Sequence, residues 1–355
     1  MNSYDIIHFE ALGPEAQHLE NETIKAQANN ELPQNLKYLI TPDNVQSFLK
    51  MNPGVNLPDI VTTKTHSVLP ESYFTGVKKS ILTRSAGYDH FEHLVEMANI
   101  ASLREYCVNA VAQTTIKFLY AIAGELNHYE KNTLTFERNN ARAFTELGKH
   151  KTATVFGAGK IGKRIHDLVQ ANDLTVQCVD IRQNYLNKLY GGSVKFVSRE
   201  TAIATSDIII NAMNLTRNTE SIMYNVGYFS EEFLAGAKDD LIFINVTRGE
   251  IAPESVLLNL YTSGKIKGIG VDVFSNEVQF AGILNGNVET DQQDLKAAAA
   301  MVQQSIERSA NIYVQPHQGF NSDIAALAKA TESIKHVIAW YRNRKQCFDE
   351  QLPYY

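Results

Sequence analysis

Apolar positions along the chain fall into two rhythms. Short runs rich in β-branched residues, "YDIIHFE", "LKYLITP", "DIVTTKT" and "KKSILTRSAG", alternate with polar, helix-compatible segments. Near residue 108 the texture changes to one long pattern, "NAVAQTTIKFLYAIAGEL", with apolar residues three and four apart. The strand-and-helix alternation restarts at "KTATVFGAG" and continues through "LTVQCVD", "SDIIINAM", "DDLIFINV", "IKGIGVDVF" and "NIYVQPH". An amphipathic helix, "DIAALAKATESIKHVIAWYRNR", follows the last of these, and "LKAAAAMVQQSIERSA" reads as a further, alanine-rich helix. Strands separated by helices in this way predict parallel sheets covered on both faces. Two successive series predict an α/β protein of two doubly wound, Rossmann-like domains.

Composition narrows the class. A chain of 355 residues with 44% hydrophobic and 20% charged residues is long enough for two domains with proper cores. The net charge of -6 and the lack of a lysine and arginine run argue against a nucleic-acid partner. No stretch is apolar enough to suggest a membrane span. Cys107, Cys178 and Cys347 are widely spaced and match no metal or redox pattern, so incidental thiols and no metal are expected. The first residues enter a strand pattern without the features of a signal peptide, and a cytoplasmic location is expected.

Candidate chemistry begins at residues 155–168, "VFGAGKIGKRIHDL". A G-x-G-x-x-G turn between a strand and a helix suits a dinucleotide. Gly157 makes the turn, Gly159 admits the pyrophosphate, and Gly162 lets the helix pack on the strand, with Lys160 and Ile161 between them. The anion then lies at a helix N-terminus, where unpaired N–H groups and the helix dipole favour it. Asp180 ends the next strand pattern, at the distance where a carboxylate accepts from the adenosine ribose. A carboxylate there repels the extra phosphate of NADP, so NAD is the expected cofactor, although Arg182 lies two residues on.

Ligands of open parallel sheets gather beyond the carboxyl ends of the strands. Those ends carry Arg248 in "FINVTRGE", Asp272 and Glu277 in "GVDVFSNE", and His317 in "YVQPHQGF". Arginine, histidine and glutamate suit hydride transfer to a 2-keto acid. The guanidinium fork binds a carboxylate. The imidazole gives a proton to the carbonyl oxygen, and a carboxylate orients the ring. Each residue alone has an ordinary structural explanation; their shared placement gives the set its meaning.

The ordered motifs "GAGKIG", "INVTRGE", "SGKIKGIGVDVFSNE" and "PHQGF" resemble those of the D-isomer-specific 2-hydroxyacid dehydrogenases, nearest the D-lactate dehydrogenase branch. "ILTRSAGYDHFE" and "REYCVNAVAQ" are similar to that branch's first-domain loop and tyrosine segment. The resemblance implies a substrate domain formed by residues 1–112 and 320–355, with an NAD domain, residues 113–319, inserted in it. It makes Arg248 the substrate-binding arginine, His317 the acid/base and Glu277 its partner. Backbone N–H groups of Ser85, Ala86 and Gly87, beside Tyr106, would bind the substrate carboxylate. Asp272 would face the nicotinamide end, and Thr216 and Thr247 would line the cofactor. The implied reaction is reversible hydride transfer between NADH and a 2-keto acid, pyruvate or a somewhat larger relative, in a homodimer. A phosphorylated or dicarboxylic substrate is the first alternative and would require a further cation, for which Arg84, Lys64 and Arg104 are candidates. A non-catalytic NAD(H)-sensing, corepressor-like protein is the second.

Overall fold

The computed structural model describes residues 4–139 and 142–354. The chain divides into two compact units, one formed by Met1–Cys107 with Asn321–Tyr355 and the other by Val108–Phe320.

The first unit contains β1 (Ile6–His8), α1 (Pro14–Ala28), β2 (Tyr38–Ile40), α2 (Val45–Met51), β3 (Ile60–Thr63), β4 (Lys79–Thr83) and β5 (Ala98–Ser102). The last helix of the chain, α12 (Ala325–Arg342), returns to it. The sheet order is β2-β1-β3-β4-β5, with every pairing parallel. Neighbouring strand residues point to opposite faces. Ile6, Ile60, Leu82 and Ala101 therefore pack with Leu19 of α1 and Ile334, Val337 and Trp340 of α12. Ile7, Val61, Ile81 and Ile100 pack on the other side with Phe9, Val45 and Phe48. Strands buried on both faces explain the continuous apolar runs.

β5 is absent from the sequence-predicted strands. Its residues, Ala-Asn-Ile-Ala-Ser, have little strand preference, yet all five are buried. Pairing along β4 sets its conformation, and the small side chains leave room for Trp340, whose indole N–H donates to Ser80 Oγ at 2.9 Å.

The second unit contains α3 (Val108–Ala123), α4 (Leu126–Thr133), β6 (Thr152–Phe156), α5 (Lys160–Ala171), β7 (Thr175–Val179), α6 (Gln183–Leu189), α7 (Arg199–Thr205) and β8 (Ile208–Asn211). It continues with α8 (Glu231–Ala235), β9 (Leu241–Asn245), α9 (Glu254–Thr262), β10 (Ile266–Val271), α10 (Glu277–Leu284), α11 (Gln293–Ile306) and β11 (Ile312–Val314). All strands are parallel in the order β11-β10-β9-β8-β6-β7, which reverses direction between β6 and β8. That reversal creates the crevice where a doubly wound sheet takes a ligand.

The division between the units falls at Val108, five residues ahead of the boundary expected at 113. The reason is the seating of α3 on β10. A Cβ at Gly268 would lie 2.2 Å from Ile122 Cγ2, and one at Gly270 would lie 2.8 Å from Phe118 Cβ, so the whole helix belongs with that strand. The alanine-rich segment is α11. Leu295, Ala298 and Met301 bury its inner face, and Asp294 accepts from Ser255 Oγ at 2.5 Å at the start of α9. Among the described residues, no helix is long and apolar enough to cross a membrane.

Candidate active site

The turn after β6 has two crowded glycines around an open one. Gly157 has φ +88°, and a Cβ there would meet the Ala212 backbone at 2.8 Å. At Gly162 a Cβ would fall 1.8 Å from the Gly157 carbonyl oxygen, so only glycine lets α5 start so close to the strand. Gly159 is different: nothing lies within 4 Å of the Cβ position. It is the N-cap of α5 and supplies no capping side chain, and a helix start of this kind favours an anion. Asp180 lies beside this turn. Its Oδ2 accepts from Ala158 N at 2.9 Å and its Oδ1 from Arg182 N at 2.8 Å. The open space at Gly159, the bare helix start and the neighbouring carboxylate fit a dinucleotide pyrophosphate and its ribose.

Thr216 and Thr247 follow β8 and β9. Thr216 donates its N–H to Asn225 Oδ1 at 2.8 Å, and Thr247 Oγ1 accepts from Asn211 Nδ2 at 3.0 Å. Both are held by asparagines of the same unit.

The structure brings His317 and Glu277 together, with Nδ1 2.8 Å from Oε2. Forty residues separate them, and a strained turn closes the gap. His317 has φ +50° and donates its backbone N–H to the Asp272 carbonyl at 2.7 Å. Side chains that branch at Cβ tolerate this left-handed conformation poorly; histidine adopts it more readily. Burial alone would raise the Glu277 carboxyl, but the His317 hydrogen bond and charge, the Phe274 N–H and the Arg248 charge outweigh it and hold it below the ordinary glutamate value. Both side chains of the pair remain partly open, at 36% and 42% exposure, so a substrate can reach the ring.

Asp272 lies at the end of β10, in the loop that follows it. It is 2% exposed, and its carboxylate accepts from Gln315 Nε2 at 2.7 Å, Gln318 N at 2.8 Å and Gly319 N at 2.9 Å. Burial raises its carboxyl despite these donors. The carboxylate is turned into the loop that carries His317 and positions that loop.

Arg248 follows β9, and Asn245 Nδ2 donates to its carbonyl at 2.9 Å. The next residue, Gly249, packs so closely that a Cβ would meet Ser275 N at 2.1 Å. This contact ties the arginine loop to the one leading into Glu277. Glu254, which the sequence reading passed over, is the strut beside it. Its Oε1 accepts from Ser275 N at 2.6 Å, and burial pushes its carboxyl up to about 7. The only local signal was an acidic residue opening α9 just after Pro253.

In the first unit, Ser85, Ala86 and Gly87 form a partly exposed loop after β4, with the Ser85 carbonyl accepting from Leu103 N at 3.0 Å. Tyr106 donates its backbone N–H to Glu332 Oε2 at 2.8 Å, and burial holds its hydroxyl well above the ordinary tyrosine value. Of the cation candidates, Arg84 is fully buried. Its Nε donates to Glu15 at 2.9 Å, one terminal nitrogen to Thr62 Oγ1 at 2.5 Å and the other to the Phe9 carbonyl. Arg104 sits 3.6 Å from Glu350 and over the Tyr354 ring. Burial pushes the thiols of Cys107 and Cys178 up to about 12, which makes both poor nucleophiles. Among the described residues, no His, Cys, Asp and Glu group is arranged to hold a metal.

Residues 116–319 match the family model described as "D-isomer specific 2-hydroxyacid dehydrogenase, NAD binding domain". The D-lactate dehydrogenase of Treponema pallidum is 24% identical over 220 residues, 59% of this chain and 62% of that protein. That of Lactiplantibacillus plantarum is 23% identical over 292 residues, 81% of this chain and 82% of that protein. An aromatic 2-oxoacid reductase of Clostridium sporogenes is 25% identical over 257 residues, 70% of this chain and 71% of that one. Among solved structures, D-lactate dehydrogenase from Aquifex aeolicus, complexed with NAD and lactic acid, superposes with a TM-score of 0.75 at 19% identity, covering 96% of this chain and 97% of that one. The glycine turn, the carboxylate after β7 and the matched domain agree on NAD as the cofactor, and the chain belongs to the D-isomer specific 2-hydroxyacid dehydrogenases.

Proposed function

We propose that the protein is a dehydrogenase that interconverts a D-2-hydroxy acid and its 2-keto acid, of pyruvate's size or somewhat larger. The observation that carries this reading is the 2.8 Å contact between His317 and Glu277 beside Arg248, on the domain that takes NAD. NADH supplies the hydride that reduces C2 of the keto acid. Glu277 on Nδ1 fixes the imidazole tautomer and orientation, leaving Nε2 to give its proton to the carbonyl oxygen and retrieve it in reverse. Arg248 binds the carboxylate and polarises the carbonyl. Ser85, Ala86 and Gly87 offer backbone N–H groups to the carboxylate, and Tyr106 borders the substrate. A mere sensor of NAD(H) has no use for an oriented histidine and glutamate pair.

The test is loss of NADH absorbance against pyruvate, 2-ketobutyrate, phenylpyruvate, oxaloacetate, 2-ketoglutarate and hydroxypyruvate, with NADPH in parallel. Turnover of at least one acid, with NADH favoured, is expected. NADH binding with no turnover on any of them would overturn the reading.

A further inference from the structure

The glycine turn of the second unit is gripped by side chains from two later elements. Asp180, after β7, accepts from Ala158 N at 2.9 Å and so holds the peptide ahead of Ala158. The peptide behind it is held by a residue outside the glycine motif. Tyr190 donates its hydroxyl to the Ala158 carbonyl at 2.8 Å from 32 residues further along the chain.

Local structure brings the tyrosine there. Tyr190 is the C-cap of α6, and its backbone N–H donates to the Leu186 carbonyl at 2.9 Å. Gly191 and Gly192, at φ +58° and +75°, then end the helix and turn the chain away. From α5, Lys163 sets its ammonium 5.4 Å from the centre of the Tyr190 ring while pairing with Asp167 at 2.6 Å. Lys163 also donates its backbone N–H to the Gly159 carbonyl at 2.8 Å, so the ring rests on the first turn of the helix that the glycines open. Burial raises the Tyr190 hydroxyl above the ordinary tyrosine value, which keeps it a donor at neutral pH.

The oxygen and the N–H of one planar trans peptide point in opposite directions. The carbonyl that Tyr190 holds shares its peptide with the N–H of Gly159, so the hydroxyl sets the direction of both. Gly159 has no side chain to anchor its end of that peptide, and nothing lies within 4 Å of its Cβ position. Ala158 is fully buried, and a buried carbonyl stripped of a donor is costly enough to turn the peptide toward another partner.

We infer that Tyr190 is a positioning residue for NAD(H): through the Ala158–Gly159 peptide its hydroxyl presets the glycine turn for the cofactor's pyrophosphate, which approaches the backbone at the middle glycine. Cofactor binding alone is needed for this role, so it stands or falls whether or not any keto acid is turned over.

The experiment compares the wild type with Tyr190→Phe and Tyr190→Leu, at a temperature where denaturation curves show all three folded. NADH Kd is read by fluorescence titration, and the exchange rate of the Gly159 amide by NMR of the cofactor-free protein. Tyr190→Phe keeps the ring and should raise the Kd about fivefold or more, the worth of one hydrogen bond. The Gly159 amide should exchange faster in the same variant, while amides in the middle of α5 keep their rates. Tyr190→Leu should weaken NADH at least as much. An unchanged Kd in Tyr190→Phe would overturn the role. A raised Kd with unchanged Gly159 exchange would also overturn it, because the hydroxyl would then act by some route other than the peptide. Loss of affinity in Tyr190→Leu alone would assign the effect to the ring and overturn it as well.

Discussion

After the first strand of each sheet the chain makes the same topological move, from the carboxyl end of a strand into a helix, and the two units furnish that turn in opposite ways. In the second unit the turn is bare. Gly157 and Gly162 permit contacts too tight for a Cβ, and Gly159 opens onto space at a helix start with no capping side chain. In the first unit the corresponding turn is filled with carboxylates. Glu10 accepts from Thr63 Oγ1, Ser67 Oγ, Lys64 N and His66 N, and Glu15 is enclosed by Arg84 and Lys64. Gly13 turns the chain there with φ +52°, but nothing lies within 4 Å of its Cβ position. One winding thus yields an open, uncapped helix start in one unit and an internal ionic lock in the other. Topology places the turn, and side-chain chemistry decides what the turn is for.

The contrast can be attacked from its strongest point downward. If the second unit holds the chemistry, His317→Gln should lower kcat by two to four orders of magnitude, the usual worth of a positioned acid/base, with NADH Kd nearly unchanged in a fluorescence titration. A kcat loss under tenfold would remove His317 from proton transfer.

The next effect falls on the lock. Glu15→Gln leaves Arg84 buried without its counter-ion, and such a break costs about 3–5 kcal/mol. Chemical denaturation should show this loss, and Glu15→Gln combined with Arg84→Met should recover part of it. A single variant as stable as the wild type would mean that Glu15 does not balance the cluster.

Gly162→Ala should raise the NADH Kd at least tenfold, because the turn must open to clear a contact of 1.8 Å. Gly13→Ala has space and meets only the left-handed backbone, so it should cost about 1–2 kcal/mol and leave NADH binding alone. Equal effects of the two substitutions on NADH affinity would erase the distinction drawn between the turns.

The smallest effect is on pH. Burial raises the carboxyls of Glu10 and Glu15, but hydrogen bonds at Glu10, and the charges of Arg84, Lys329 and Lys64 at Glu15, hold both below the ordinary 4.5. Their stabilisation is present above that value and is lost as pH falls through the lowered folded values. Amide exchange below pH 4 should therefore show protection falling in β1, β3 and α1 before it falls in β6 and α5. The reverse order would place the acid-sensitive groups elsewhere.

The glycine turn, Asp180 and the strand-end trio were legible because each depends on residue types at short spacing next to a recognisable strand. The strand β5 was not, since pairing with β4 overrides the weak preference of Ala98–Ser102. The partners of Asp272 were not legible, because they lie more than forty residues away and on a loop. Lys329 looked like one polar residue of an amphipathic helix; only folding turns it inward toward Tyr106.

By itself the sequence determined the alternation of strands and helices, the place of the glycine turn and the residue types that stand at the strand ends. These are local properties, carried by hydrophobic period, glycine's freedom and side-chain chemistry. The tertiary structure decided which charges neutralise one another. It closed the His317 and Glu277 pair across forty residues, used Arg84 inside the first unit, and placed Lys329 over the Tyr106 ring. Electrostatic balance depends on distance and burial, and neither quantity exists until the chain has folded.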